Sequence, residues 1–431
     1  MDAKPDKRAV VPSSLDDCQA MVDYTDVMNA YMPSLGEIGS DDFYVTYSVW
    51  NSLTGASERN AYVWAREMFD GGVSLDWNNR YQQIFYTNNI LEVLESMDEI
   101  TDIDRYNSLK GTALFFRAFA HYQLAQIFSE PYVYQADNSG LSIPLRLASD
   151  LNIASGQSTV GDVYGRIVSD LQYAAQLLPD RTQLKTRPNK TAAFALLARI
   201  FLTMQDYQNA VKNADLAIQA QGYSLIDYKN LSVASTYPVP MYNAEVIFHS
   251  TLAGTRILAN TRHIVDSTLF ESYRTEDLRK VIFFRESAPG QIQFRGSYAG
   301  SATYFNGLAL DEMFLIHAEC KIRMGNIEEG LNSLNALIET RFEEDTFVPI
   351  ADLDKQQALD AVLMERRKEL LFRGLRWTDL RRLNLDPSTA RTLRRELDGE
   401  VYTIEPNSPN YVYPFPDNVM QLTDFMQNER F

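Results

Sequence analysis

The chain has 431 residues, of which 45% are hydrophobic and 23% charged. This is the balance of an ordinary globular protein and excludes a disordered or collagen-like chain. Its 40 Lys and Arg against 57 Asp and Glu give a net charge of -17, which disfavours nucleic acid and anionic membrane surfaces as partners. Aromatic residues make up 12%, and a surplus of tyrosine is typical of surfaces that bind ligands or partners.

No segment predicts a membrane span or a catalytic centre. The longest nearly apolar run, residues 192–202, contains Arg199 and is shorter than the roughly 20 residues that a transmembrane helix needs. Cys18 and Cys320 belong to no CxxC pair, the four histidines are dispersed, and no GxSxG, HExxH, P-loop or GxGxxG motif is present. We therefore predict a protein that is not an enzyme and holds no cofactor and no metal.

The first half of the chain contains three predicted long helices. The first opens with Trp77 and Tyr81, whose spacing of four is typical of a packing pair. The second covers residues 106–128, where apolar side chains recur at steps of three or four; Pro131 ends it. The third, residues 159–178, has the same period. Each apolar stripe requires a partner, which indicates helices packed on helices.

Two later stretches, residues 191–222 and 311–340, each predict a pair of antiparallel helices. Small residues at helical spacing, such as Ala198 and Ala318, allow the two helices of a pair to approach closely. The pattern is that of tetratricopeptide repeats, whose unit is about 34 residues long. Because the two copies are far apart in the chain, long insertions must interrupt the repeats.

The insertions are rich in Gly, Ser, Asn, Thr and Tyr and predict turns rather than long helices. They cover residues 33–72, 129–156, 221–306 and 386–431. Loops this long inside a compact domain are usually functional.

The last predicted helix, residues 356–373, carries Arg366 within its apolar stripe. An unpaired buried charge is prohibitively costly, so we expect this arginine to pair with a carboxylate.

Three segments together resemble the SusD/RagB family of surface nutrient-binding lipoproteins. The first is Leu109–Ala118 with Tyr122 and Pro131-Tyr132, similar to the family's L-x-G-E-A-x-F-x-R-A helix and its F-G-x-P-Y ending. The second, Glu312–Glu319, resembles E-x-Y-L-I-x-A-E. The third and most specific is Glu365–Leu370 followed by Gly374, Arg376-Trp377, Asp379-Leu380 and Arg381-Arg382; it resembles E-R-R-x-E-L and E-G-x-R-W-x-D-L-x-R.

The resemblance implies a mainly α SusD-like fold, with four tetratricopeptide-like helix pairs and a loop-rich ligand-binding subdomain. It implies one domain over residues 1–431, a scaffold at 80–220 and 308–385, and ligand-binding insertions at 33–72 and 221–306. It also implies a lipid-anchored protein on the outer-membrane surface that caps a SusC-like TonB-dependent transporter. The start at residues 2–7 resembles the stretch after a lipidated cysteine, so we expect the signal peptide and that cysteine to be missing from this chain.

The loop from Gly39 to Trp64 is the leading candidate for ligand binding, because it combines flat rings with hydrogen-bonding groups. Sugar rings stack on aromatic side chains while their hydroxyls bind polar groups. The candidate residues are Asp42, Tyr44, Tyr47, Trp50, Arg59 and Trp64. The alternative for any single ring is packing within the loop's own small core.

A second loop, residues 285–306, contributes Tyr298 and Tyr304 as candidates. Its place resembles that of a ligand-facing segment of the family, and a loop without a ligand role is the alternative. For the charged residues around Arg366 and Asp379, the resemblance and the apolar stripe favour an internal ion-pair network over an anion site.

We predict from these features a binding protein that captures an oligosaccharide and passes it to a SusC-like transporter. A peptide is the alternative ligand. A tetratricopeptide-type scaffold that binds only proteins is a second candidate function. A hydrolase is a third, and it would need a carboxylate pair across a sugar.

Overall fold

The computed structural model describes residues 12–153 and 155–431 and is mainly α-helical, which confirms the predicted fold class. The count of four tetratricopeptide-like pairs and the domain boundaries stay predictions. The proposed start of the mature lipoprotein, residues 2–7, lies outside the described residues.

The helices vary widely in length, and the strands are short. In chain order the helices are α1 (Leu15–Val22), α2 (Thr25–Met28), α3 (Leu35–Gly39), α4 (Tyr47–Asn51), α5 (Ala56–Tyr62), α6 (Leu75–Glu95), α7 (Ile103–Phe128), α8 (Val160–Leu177), α9 (Lys190–Thr203), α10 (Tyr207–Ile218), α11 (Ser267–Glu271), α12 (Arg279–Ile282), α13 (Leu310–Arg323), α14 (Ile327–Glu339), α15 (Lys355–Glu369), α16 (Arg376–Leu383) and α17 (Asp417–Leu422). The strands are β1 (Phe43–Tyr44), β2 (Val246–Phe248), β3 (Ile264–Val265), β4 (Phe284–Ala288), β5 (Gln291–Phe294), β6 (Leu308–Ala309), β7 (Leu393–Leu397) and β8 (Glu400–Ile404).

The long helices pack against one another largely in chain order. α7 lies between α6 and α8, α9 contacts α8 and α10, and α13 contacts α10, α14 and α15. The helices predicted at 106–128 and 159–178 are α7 and α8, and the two predicted pairs are α9 with α10 and α13 with α14.

Side-chain caps explain where several helices begin. Ser74, Asp102, Thr159 and Asn189 each accept a hydrogen bond from a backbone N–H of the first turn of α6, α7, α8 and α9. Such caps satisfy donors that the helix itself leaves free. Asp102 and Asp104 therefore lie at the start of α7.

Small residues set the distance between paired helices. A methyl group on Gly330 of α14 would lie 2.6 Å from Ile322 Cγ1 and 2.7 Å from the Ala318 carbonyl oxygen, both on α13. α14 could not approach α13 this closely with a larger residue at position 330.

The core of the helical layer continues into the later part of the chain. The rings of Phe115, Phe116 and Phe119 on α7 surround that of Phe248 on β2, with centroids 5.0, 5.8 and 5.9 Å away. β2 in turn pairs with β6 directly before α13.

Residues 33–72 and 221–306, here called the loop subdomain, are more structured than the sequence predicts. The first stretch contains α3, α4 and α5. β1 pairs with β3, placing Phe43 opposite Val265 and Tyr44 opposite Ile264. This pairing joins the two stretches, although they are far apart in sequence.

Candidate functional site

Three exposed or half-buried rings follow one another along β1 and α4. Tyr44 is 38% exposed, Tyr47 is 41% exposed, and Trp50 is half-buried. The hydroxyl of Thr46 caps α4 by accepting the N–H of Val49 at 3.3 Å. The ring centroids of Tyr47 and Trp50 lie 6.0 Å apart with an interplanar angle of 32°. We call Tyr44, Tyr47 and Trp50 the aromatic face.

Directly after the aromatic face, three arginines meet at the turn Ser52–Thr54, here called the arginine turn. Their contacts are Arg262 Nη1 to Ser52 Oγ (3.0 Å), Arg59 Nη1 to the Leu53 carbonyl oxygen, and Arg256 Nη1 to Thr54 Oγ1 (3.0 Å). The indole N–H of Trp50 donates to the Arg59 carbonyl oxygen at 3.1 Å. Ring and guanidinium groups therefore belong to one continuous piece of surface.

A cleft of about 510 Å³ adjoins this surface on the side of Tyr44. Ser267, which lines the cleft, has its hydroxyl 3.5 Å from the Tyr44 hydroxyl. Lys280, Arg285, Glu271 and Glu286 also line it, so the cleft carries both signs of charge.

Two aspartates fix the loop subdomain to the C-terminal helices. Asp41 accepts two hydrogen bonds from Arg376, at 2.6 and 2.9 Å, and Asp42 accepts one from Arg367 at 3.0 Å. Burial alone would raise the pKa of Asp41, but Arg376 and Arg367 together outweigh it and hold the pKa well below its usual value. For Asp42, burial prevails over Arg367 and raises the pKa to about 6. The predicted site residue Asp42 is thus an interior anchor.

Glu37 on α3 lies beside these aspartates without a cationic partner of its own. Its Oε2 accepts the N–H of Gly374 at 2.8 Å, and no described group donates to its Oε1. Burial, reinforced by the charge of Asp42, raises the pKa of Glu37 to about 8. Gly374 has a φ of 72°, and a Cβ there would meet Asn306 at 2.7 Å, which explains the glycine in this motif.

Trp64 is an interior residue. Its indole N–H donates to the Gly39 carbonyl oxygen at 2.9 Å, and the guanidinium group of Arg395 lies 4.7 Å from its ring centroid. Its backbone φ of 54° is in the left-handed region, a conformation that a bulky residue keeps only when its surroundings fix it.

Tyr298 and Tyr304 are also interior. The hydroxyl of Tyr298 donates to Glu245 Oε2 at 2.7 Å, and Arg373 lies 4.1 Å from its ring centroid. The hydroxyl of Tyr304 donates to the Leu258 carbonyl oxygen at 2.6 Å, and its ring stacks on Phe372 at 5.0 Å.

The predicted site residues therefore divide into two groups. Tyr44 and Tyr47 are exposed, and the half-buried Trp50 contacts the ring of Tyr47 and the backbone of Arg59, which is half-buried as well. Asp42, Trp64, Tyr298 and Tyr304 are at most 6% exposed, and each makes hydrogen bonds to partners inside the protein.

Three buried carboxylates, Glu245, Asp311 and Glu369, have oxygens within 4.8 Å of one another. This resembles a metal site, but arginines already hold the group. Arg341 pairs with Glu245 and Glu369, each at 2.8 Å, and Arg373 pairs with Asp311 at 2.5 Å. Burial prevails over Arg341 and raises the pKa of Glu245 to about 7. The cluster is an ion-pair network that ties the loop subdomain to α13 and α15.

The charged C-terminal block forms the predicted internal network. Arg366 Nε donates to Asp379 at 2.8 Å, which confirms the carboxylate partner expected for this arginine. Arg382 donates to Asp379 at 2.8 Å and to Glu319 at 2.6 Å. The network joins α13, α15 and α16.

Ser333, His317 and Asp215 make a contact that has the residue types of a hydrolytic triad. Ser333 Oγ lies 2.6 Å from His317 Nδ1, and His317 Nε2 lies 3.3 Å from Asp215 Oδ1. Ser333 is in the middle of α14, where the helix uses the backbone N–H groups, so no pair of donors is available for an oxyanion. We interpret this contact as a polar bridge between α10, α13 and α14.

Two larger clefts, of about 550 and 890 Å³, lie where the C-terminal segment crosses the helical layer. Both are lined by Leu141, Gln157 and Met426. The sequence did not predict them, because their lining residues come from distant parts of the chain.

The sequence analysis also missed Arg256 and Arg262. The signal that could have indicated them is the presence of two arginines in a loop of Thr, Ala and Asn.

Among the helices that the structure describes, none combines the length and the apolar composition needed to cross a membrane.

Comparison with known proteins finds family models and relatives that are similar to this chain. Residues 1–202 match the family model described as "Starch-binding associating with outer membrane", and residues 308–429 match the model described as "SusD family". SusD-like protein P2 of Formosa agariphila is 24% identical over 378 residues, which are 73% of this chain and 72% of that protein.

Solved structures match over nearly the whole chain. A SusD superfamily protein from Bacteroides thetaiotaomicron has a TM-score of 0.80 and 23% identity, covering 97% of this chain and 100% of that one. Surface glycan-binding protein A from Bacteroides uniformis has a TM-score of 0.74 and 18% identity, covering 96% and 98%. The fold is that of the SusD superfamily. With the two family models matching both ends of the sequence, the chain belongs to the SusD/RagB family, as its motifs predicted.

Proposed function

We propose that the protein captures oligosaccharides at the outer-membrane surface and delivers them to a SusC-like TonB-dependent transporter, without itself acting as an enzyme. The observation that carries this proposal is the aromatic face, whose rings of Tyr44, Tyr47 and Trp50 are accessible on the outside of the loop subdomain.

The chemistry of a sugar suits this surface. The C–H faces of a pyranose stack on aromatic rings, and each such contact adds roughly 1 kcal/mol beyond the burial of area. The sugar hydroxyls would find donors in Arg59 and hydroxyl partners in Ser52, next to the rings. A few shallow contacts of this kind give modest affinity and fast release, as a protein that hands its ligand on requires.

The comparisons support the same proposal. The family model matching residues 1–202 is described by starch binding and association with the outer membrane. The solved structure from Bacteroides uniformis is a surface glycan-binding protein. The lipid anchor and the SusC-like partner are part of the proposal and rest on the family resemblance.

A peptide is the alternative ligand, because tyrosine, tryptophan and arginine side chains also bind peptides. The binding panel must therefore contain both kinds of ligand.

The test is isothermal titration calorimetry of the full chain against neutral and charged glycans and a peptide digest, with product analysis of each mixture. We expect saturable binding of at least one glycan and no change in that glycan. The double variant Y47A/W50A should lose at least about tenfold in affinity, since it removes two stacking contacts. The control is Tyr173→Ala, which removes an exposed tyrosine on α8.

Binding of peptides alone would replace the proposal with the peptide alternative. Equal affinity for Y47A/W50A and the wild type would exclude the aromatic face as the site. A shortened glycan product formed by the purified chain would show a hydrolase instead.

A further inference from the structure

We infer that the ligand of this surface is an anionic oligosaccharide, whose carboxylate or sulfate groups bind the guanidinium groups at the arginine turn. The inference rests on the proposed function, because it names the class of glycan that the same site takes.

The three arginines converge from two separate pieces of chain. Arg59 belongs to α5, whereas Arg256 and Arg262 come from the stretch before β3. Each uses one N–H on the arginine turn. A guanidinium group has five N–H donors in a fixed fork, so these contacts orient each group and leave donors for a ligand.

No described carboxylate lies within 4.0 Å of a side-chain nitrogen of these three arginines. Arg367 and Arg376, which belong to α15 and α16 and contact the inner side of the loop subdomain, are paired with Asp42 and Asp41. The nearby Glu58 accepts the backbone N–H of Ile257 at 2.7 Å. The three positive charges at the arginine turn therefore have no ion-pair partner among the described residues.

This arrangement is unexpected in a chain with a net charge of -17. Like charges held together repel each other, and their repulsion is relieved when an anion binds between them. The acidic surface beyond about 10 Å is screened at ordinary salt concentrations, so the local charge governs recognition. Arginine forks match the planar carboxylate and also bind sulfate oxygens.

The adjoining rings indicate a sugar rather than a free inorganic anion. Trp50 is joined to Arg59 through its indole N–H, so a sugar stacked on the aromatic face would place its substituents near the arginine turn. A uronic acid or a sulfated sugar satisfies both parts of the surface. Carboxylate and sulfate share this chemistry, and the experiment separates them.

The test compares glycans that differ only in charge by affinity electrophoresis and calorimetry of the full chain. The carboxylate arm uses polygalacturonate against its highly methyl-esterified form. The sulfate arm uses chondroitin sulfate against chemically desulfated chondroitin. Starch and laminarin are the neutral references. We expect a charged glycan to bind at least about tenfold more tightly than its uncharged or less charged counterpart.

The variant R256Q/R262Q should lose at least about tenfold in affinity for the charged glycan. The matched control is R181Q/K212Q, which removes two exposed cations of the scaffold and changes the net charge equally. Should R256Q/R262Q not fold, the wild type alone decides: its affinity should fall clearly between 50 and 300 mM NaCl, because screening weakens exposed ionic contacts.

The outcomes separate this inference from the proposed function. Equal or tighter binding of neutral glycans, unaffected by salt and by R256Q/R262Q, overturns the anionic ligand and leaves glycan capture in place. Loss of affinity in R181Q/K212Q equal to that in R256Q/R262Q also overturns it, since a general charge effect would then explain the binding. If no glycan of either kind binds, both the inference and the proposed function fail.

Discussion

Glu37 offers a direct test of the electrostatics in the interior of the loop subdomain. Its carboxyl group is buried, receives one N–H from Gly374, and has a pKa of about 8, raised chiefly by burial and then by Asp42. In the unfolded chain the same group ionises near 4.5. Between these two values the folded state holds a proton that the unfolded state has lost, so the stability of the wild type falls as pH rises.

The size of the effect follows from the difference between the folded and unfolded pKa values of Glu37. A difference of one pKa unit corresponds to about 1.4 kcal/mol. The free energy of unfolding of the wild type should therefore fall by about 3–4 kcal/mol between pH 5 and pH 8 because of this group. Glu37→Gln cannot ionise and lacks this loss. For a chain of this size we expect about 1–2 °C of Tm per kcal/mol. The Tm of the variant relative to wild type should therefore rise by about 5 °C from pH 5 to pH 8.

The assay is thermal unfolding followed by intrinsic fluorescence at several pH values between 5 and 8. Glu344→Gln, at an exposed position, is the control and should follow the wild type at every pH. Parallel curves for Glu37→Gln and wild type would refute the reasoning, as would a difference that grows toward low pH.

Three further predictions concern packing and charge. Gly330→Ala should destabilise the protein by about 2 kcal/mol, because its methyl group overlaps α13. Gly165→Ala, in open space on α8, should stabilise it by about 1 kcal/mol. Denaturant unfolding measures both variants, and equal effects would contradict the tight contact between α13 and α14. Burial would raise the pKa of Glu319, but Arg382 and Arg323 outweigh it and lower the pKa to about 2. The ion pair therefore contributes stability above pH 4.5 that is lost as pH falls toward 2. Glu319→Gln should cost about 3 kcal/mol at pH 7 and little at pH 2, and a constant cost at both pH values would exclude the ion pair. Trp64→Phe should lower stability by about 1–2 kcal/mol through the lost hydrogen bond to Gly39 and leave glycan affinity unchanged in calorimetry; a loss of affinity in the folded variant would return Trp64 to the ligand site.

Periodicity predicted the long helices because each buries a stripe over several turns. α7 and α8 were located to within a few residues, and the partner of Arg366 was expected from the cost of an unpaired charge. α3, α4 and α5 were not predicted, since helices of five to seven residues are too short to show a period. The pairing of β1 with β3 depends on contacts between distant residues that no local pattern records.

The candidate site was predicted less completely for a related reason. Composition identified a stretch rich in rings and polar groups, but it does not say which side of a loop faces outward. Trp50 and Trp64 are fourteen positions apart and look alike in sequence, yet Trp64 turns inward to Gly39 and Arg395. Arg395 is on β7, far along the chain, so local sequence could not indicate this contact. The contacts of Arg256 and Arg262 with Ser52 and Thr54 could not be predicted for the same reason, since these residues are far apart in the sequence.

The loop subdomain has its attachment to the C-terminal helices and its proposed recognition of the ligand on separate residues. Asp41 and Asp42 fasten its inner side to Arg367 and Arg376, while Arg256 and Arg262 contact only hydroxyl groups of the outer turn. A substitution at either outer arginine leaves every buried ion pair intact. If the proposed site is correct, single substitutions at positions 59, 256 and 262 change the ligand while the scaffold stays the same, and a library randomised at these positions tests that separation.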